Sequence, residues 1–250
     1  MEHPRLTNIR QHRIIENIVQ TRQRVASSRS ILIAITGIDG SGKGYVSAKL
    51  ANVLGAMDLG VANINIDGWL NLPHLRFNKA NPAEHFYLNA IRFTDMFAKL
   101  IFPLRNRRSF RIEMDFAAET ATGYRKQLCA FDNIDVILLD GIYLLKEDFQ
   151  NYYDLSFWID CSFETALERA IARAQEGLPP EETVHAYRSI YFPAQEIHFA
   201  RDNPRRAATA IINNDLRLGP VSGELSSLPD FRSLEITPVT ENPPRRLPEK

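Results

Sequence analysis

The chain has 250 residues, 44% of them hydrophobic, and its 30 basic and 30 acidic side chains cancel to zero. That length suits one large α/β domain or one domain with appendages. The balanced charge argues against a nucleic-acid partner, which normally selects a basic excess, and no apolar run is long enough to predict a membrane span. Cys129 and Cys161 stand apart with no CxxC spacing, so neither a disulfide framework nor a structural zinc site is expected, and the chain reads as cytoplasmic.

Residues 1–30 are rich in arginine, as a transit peptide is. Glu2, Glu16 and the spacing of Ile14, Ile18 and Val25 instead fit a packed leading helix. Residues 31–36 are an apolar run that ends at glycine, the pattern of a strand buried on both faces. Gly37-Ile-Asp-Gly-Ser-Gly-Lys-Gly44 follows, then Val46, Leu50, Val53 and Leu54 at helical spacing, then a second strand over 61–66 that ends at Asp67. Strand, helix and strand in this order predict a parallel βαβ unit. Residues 68–82 look irregular. A helix is expected from 83 to 102, with Pro103 as its stop. Alternation at 110–116 predicts a small strand or hairpin standing off the sheet. Further strands are expected over 134–139, 155–159 and 209–212, with helices over 163–174 and 181–200, the latter bent at Pro193. The prolines after residue 218 mark an extension, within which 231–236 is a candidate edge strand and 240–250 is expected to be loose. These elements predict a three-layer α/β/α P-loop fold over 31–218 with a parallel sheet, a small substrate arm near 70–130 and a lid near 165–182.

The glycine loop carries the strongest chemical signal. Glycines let a backbone wrap an anion without a colliding Cβ. The loop amides then converge on phosphate oxygens at a helix N-terminus. Gly37, Asp39, Gly40, Ser41, Gly42, Lys43, Gly44 and Tyr45 are therefore the expected nucleotide-binding residues, with Lys43 as the charge on the terminal phosphates. The usual hydroxyl residue after the lysine is replaced by Gly44, so magnesium must rely on carboxylates, water and ATP oxygens. Ligands of open α/β sheets sit beyond the C-terminal strand ends, where Asp67, Asp140 and Asp160 fall. Asp140 reads as the magnesium carboxylate, Asp67 as a base for an attacking hydroxyl, and Asp160 as a turn or helix cap. Arg169 and Arg173, four residues apart on one helix, read as lid cations over ATP or as a solvated face paired with Glu168 or Glu176.

With these motifs the chain resembles the phosphoribulokinase and uridine kinase family from about Ile31 to Asn214. Asp67-Gly68-Trp69 is similar to that family's Asp-x-aromatic motif, in a form close to the Asp-Gly-Phe of bacterial pantothenate kinases. Leu139-Asp140-Gly141-Ile142 is similar to its Glu-Gly-Ile after a strand. The 81–86 segment, Tyr187 and Pro193 also match family positions. The resemblance implies ATP- and magnesium-dependent phosphoryl transfer to a hydroxyl of a small molecule. It implies Asp67 as catalytic base, with Lys43, Arg169 and Arg173 as catalytic cations. It places Trp69, His85, Arg111, Asp115 and Phe116 toward the acceptor, and it admits a homodimer. In the arm, Met114, Glu119 and Ala121 replace the tyrosine, histidine and arginine with which uridine kinases hold the nucleoside, so uridine is not the expected acceptor. Two other readings stand beside this one. A nucleoside monophosphate kinase would use Arg105, Arg107, Arg108 and Arg111 on the acceptor phosphate, and a nucleotide-binding regulatory protein would show little turnover.

Overall fold

The computed structural model describes residues 4–117, 119–174 and 179–218. The proline-rich extension lies outside these residues, as does part of the expected lid. Helix α1 (Pro4–Arg24) leads into strand β1 (Ile31–Gly37), helix α2 (Lys43–Gly55) and strand β2 (Val61–Asn65). A 3-10 turn, Ile66–Trp69, and three short helices follow: α3 (Pro73–Arg76), α4 (Pro82–Asn89) and α5 (Phe93–Met96). After α6 (Phe102–Arg107) come strands β3 (Phe110–Phe116), β4 (Arg125–Phe131), β5 (Val136–Gly141) and β6 (Leu155–Asp160). Helices α7 (Phe163–Arg173), α8 (Pro180–Ala186), α9 (Phe192–Asp202) and α10 (Pro204–Ala207) precede the last strand, β7 (Ala210–Asn213).

Five strands form one all-parallel sheet in the order β2-β5-β1-β6-β7. Alternation along the buried central strand divides the core into two layers. Ile31, Ile33 and Ile35 face α2 and the Ile14 and Ile18 stripe of α1. Leu32 and Ala34 face the aromatic layer of Phe86, Tyr87 and Phe97 on the opposite side. Helices therefore cover both faces, as a sheet of continuous apolar strands requires. Strands β3 and β4 form a separate antiparallel pair.

Pro103 behaves differently from expectation. The helix expected over 83–102 is broken after Asn89, and its second part does not stop at Pro103 but runs from Phe93 to Arg107 through a π turn, Phe97–Ile101. The second long helix, expected to continue past Pro193 with a bend, does continue, through a π turn, Tyr187–Tyr191. A proline ring clashes with the carbonyl four residues back and cannot donate to it. In both helices the wider turn ends one residue before the proline: Phe102 N–H donates to Phe97 O, and Phe192 N–H to Tyr187 O. The clash is absorbed without breaking the helix.

Asp160 is not a cap either. It is buried and accepts from Trp158 Nε1 at 3.2 Å and Arg205 Nη1 at 2.6 Å. Ser162 caps α7 instead, accepting from the Thr165 N–H.

Candidate active site

Strand order explains why distant residues meet. β1, which carries the glycine loop, lies beside β5, with Ile35 opposite Asp140; β2 flanks β5 on its other edge, with Asn65 opposite Asp140. The C-terminal ends of these three strands open into one cleft of about 870 Å³. Lys43, Asp67, Asp140, Trp69 and Phe116 all line it, as do Arg169 and Arg173.

The loop is braced from behind. Gly42, with φ of 88°, precedes α2 in a left-handed conformation that favours glycine. Asn214 Nδ2 donates to the Ser41 carbonyl at 2.7 Å, and Arg169 Nη1 donates to the same carbonyl at 3.2 Å. Arg169 Nη2 donates to the Asn214 carbonyl at 2.7 Å. With the loop carbonyls engaged there, the first N–H groups of α2 have no acceptor within the helix, the condition under which a helix N-terminus can take an anion. Arg169 is thus a clamp on the loop rather than a free lid cation, and Glu168 pairs with Arg217 instead of with it.

Asp39 holds the loop's cations. Its carboxylate stands 3.9 Å from Lys43 Nζ and 3.7 Å from Arg173 Nη2, and it accepts from Tyr187 Oη. Burial alone would raise its pKa, but Lys43, Tyr187 and Arg173 outweigh that and hold it below the ordinary value. Lys43 and Arg173 therefore already converge on one negative charge.

Asp140 is 4% exposed, and its Oδ1 has no hydrogen-bond partner. Burial pushes its carboxyl up to about 6, with Lys43 opposing the rise and Asp67 adding to it. A Cβ on Gly44 would stand 3.2 Å from Asp140 Oδ2, so the glycine leaves open the space in front of the carboxylate. Asp67 follows β2 on the 3-10 turn, where its N–H donates to Asn65 Oδ1 at 2.7 Å. Crowding by protein raises the Asp67 pKa, against the pull of Lys43.

The Asp140 shift has a consequence for stability. The folded protein takes up a proton at about pH 6, whereas an ordinary aspartate does so at 3.8. Between those values the native state binds more protons than the unfolded chain, so stability falls as pH rises through the window and the cost is complete above it. Asp140→Asn is therefore expected to stabilise the metal-free protein at pH 8 by roughly 2–3 kcal/mol, and by less at pH 5. Thermal melts at the two pH values check this; an equal or lower melting temperature for the variant at pH 8 contradicts it.

Three acceptor-side expectations do not hold. Arg111 and Asp115 fall on the outer face of the hairpin, because Met114 and Phe116 take the inner one and side chains alternate along a strand. Asp115 pairs there with Lys126 at 2.8 Å. His85 lies outside the cleft, with its Nε2 2.9 Å from the Leu75 carbonyl. The arginines of the phosphorylated-acceptor reading are also committed elsewhere. Arg105 pairs with Asp154 and Arg108 with Asp135, while the Arg107 guanidinium lies over Phe110. Conversely, Asn65, Arg76 and Asn214 belong to the site or its supports and carried no sequence signal, and Tyr187, which matches a family position, had no role assigned to it. Arg76 sat in a stretch that looked irregular, and Asn214 is separated from the loop it braces by more than 170 residues.

The profile of the Phosphoribulokinase / Uridine kinase family matches residues 32–177. No curated protein matches the chain in sequence. In three dimensions the chain is similar to a possible uridine kinase from Bacillus stearothermophilus, at 16% identity and a TM-score of 0.60, over 79% of this chain and 96% of that one. It is similar to a candidate fructose transport system kinase from Silicibacter sp. TM1040, at 20% identity and a TM-score of 0.60, over 75% and 94%. It also resembles the D-glycerate 3-kinase of Cryptococcus neoformans var. grubii, at 11% identity and a TM-score of 0.59, over 82% and 95%. At these identities the likeness speaks for the P-loop fold. Among the described residues no helix is long and apolar enough to cross a membrane.

Proposed function

The chain belongs to the phosphoribulokinase/uridine kinase family, and from that membership we propose that it transfers the γ-phosphoryl group of ATP to a hydroxyl of a small metabolite. The observation that carries this reading is the meeting of Lys43, Asp140 and Asp67 in one cleft at the C-terminal edge of the sheet. Phosphoryl transfer asks for little covalent chemistry from the protein. It needs the acceptor oxygen in line with the γ-phosphorus and positive charge around the transferring oxygens.

In this reading the N-terminus of α2 and Lys43 hold the ATP phosphates, with Arg173 beside them and Arg169 keeping the loop in shape. The acceptor hydroxyl lies against Asp67. Its oxygen bonds to the γ-phosphorus as the bond from phosphorus to the bridging β-oxygen breaks, the hydroxyl proton passes to Asp67, and ADP leaves.

The residues fit magnesium. Asp140 offers Oδ1, buried without a protein partner, and Oδ2, which faces the space left by Gly44. No cluster of three or more metal-ligating acidic, histidine or cysteine side chains exists among the described residues. Magnesium suits such a site, because it keeps several waters and takes one or two carboxylates plus substrate phosphates. When bound it supplies charge neutralisation on the phosphate oxygens, with Asp140 as its protein ligand or as the acceptor for its waters.

The test is magnesium-dependent ADP formation across a panel of hydroxylated metabolites, with mass detection of the phosphorylated product. Acceptor-stimulated ADP formation is expected. ATP binding with no stimulation by any acceptor would favour a regulatory nucleotide-binding protein.

A further inference from the structure

Arg76 is the cation of the cleft that the phosphate end does not use. Lys43 and Arg173 converge on Asp39, and Arg169 is bonded to the loop carbonyls. Arg76 comes from α3, beyond Trp69, and lines the same cleft. It is 2% exposed, its Nε has no hydrogen-bond partner, and its Nη2 donates to a neutral acceptor, the Glu119 carbonyl. Phe77 lies 5.2 Å from the guanidinium carbon. Burying a guanidinium with its donors incompletely used is costly, and here burial lowers the Arg76 pKa in spite of nearby acidic groups. Asp67 lines the same cleft as Lys43, Arg173 and Arg76, and all three cations act on its carboxylate.

We propose that Arg76 grips a carboxylate of the acceptor, and that the substrate is a small hydroxycarboxylic acid whose hydroxyl reaches Asp67 while its acid group reaches Arg76. This rests on the kinase reading above. A guanidinium offers a planar fork of donors that matches a carboxylate. A singly charged anion suits this end of the cleft better than a dianionic phosphate, which would bring a second negative charge to one cation already near Asp67 and Glu119. Trp69 and Phe116 supply apolar wall for the carbon chain.

Matched trios test this directly: polyols of three to six carbons, the aldonic acids of the same lengths, and the polyol phosphates. With the full chain and magnesium-ATP, the aldonic acids are expected to stimulate ADP formation at least tenfold more than the polyols or the phosphates. Arg76→Gln should raise KM for the responding acid by about 10- to 100-fold, the loss of a charge-assisted hydrogen bond. It should move kcat less and leave KM for ATP within about twofold, and Arg76→Lys should recover part of the loss. Should Arg76→Gln fail to fold, the wild-type panel decides alone. Equal use of polyols, preference for the phosphates, no response to any acid, or an unchanged KM in Arg76→Gln would each overturn the inference. Turnover with neutral acceptors would overturn it while leaving the kinase reading intact, whereas failure to bind magnesium-ATP would overturn both.

Discussion

Asp67→Asn is expected to leave ATP affinity within about twofold and to lower acceptor-dependent kcat by about 10²–10⁴, the range for loss of a general base. The backbone at Asp67 is held by the Asn65 side chain, which accepts from its N–H, so the turn does not depend on the Asp67 carboxylate. That carboxylate lines the cleft and is open to solvent there, and partial loss of water around it raises its pKa against the pull of Lys43. Asparagine keeps the shape and removes both proton acceptance and charge. A capping role would instead predict a stability loss of about 0.5–2 kcal/mol with turnover preserved. Measuring kcat at saturating ATP and acceptor, with a thermal melt and an ATP titration, separates the two. A folded variant with near-normal kcat would refute the base role.

Lys43→Ala should lower turnover by about 10³-fold or more, on the scale of losing a cation that stabilises charge on the transferring phosphoryl group. Its Nζ stands 3.4 Å from the Ile38 carbonyl and 3.9 Å from Asp39, so it lies folded over the loop it serves. The fold should survive, because Asp39 keeps Tyr187 and Arg173. A second readout follows from electrostatics. Lys43 pulls down the pKa of both Asp67 and Asp140, so its removal lets both rise. The residual activity should then require a higher pH, with the acid limb of the rate profile moving upward. Wild-type turnover, or an acid limb that moves down, would sink the assignment.

The loop, its flanking strand and helix, and the two carboxylates at strand ends were legible in the residues. Their signals are local: an apolar run, a glycine-rich turn and an aspartate at the end of a strand follow from backbone geometry over a few neighbouring positions. Asp67 and Asp140 were readable as a pair because a parallel sheet always opens its sites at the same edge. The arm was legible as a hairpin but not as a surface. Asp115 and Phe116 are neighbours in sequence, and a strand must send them to opposite faces; only the packing of Met114 and Phe116 toward the cleft decided which face that was. Pro103 looks like a helix stop and Pro193 like a bend because a proline cannot donate, yet the chain stays helical past both by widening one turn before each ring. Arg169 became a clamp, and Arg76 a buried cation, through partners such as Asn214 and the Glu119 carbonyl. Those partners arrive from distant segments, and a charged side chain's meaning is set by which groups surround it once water is excluded, which no spacing along the chain records.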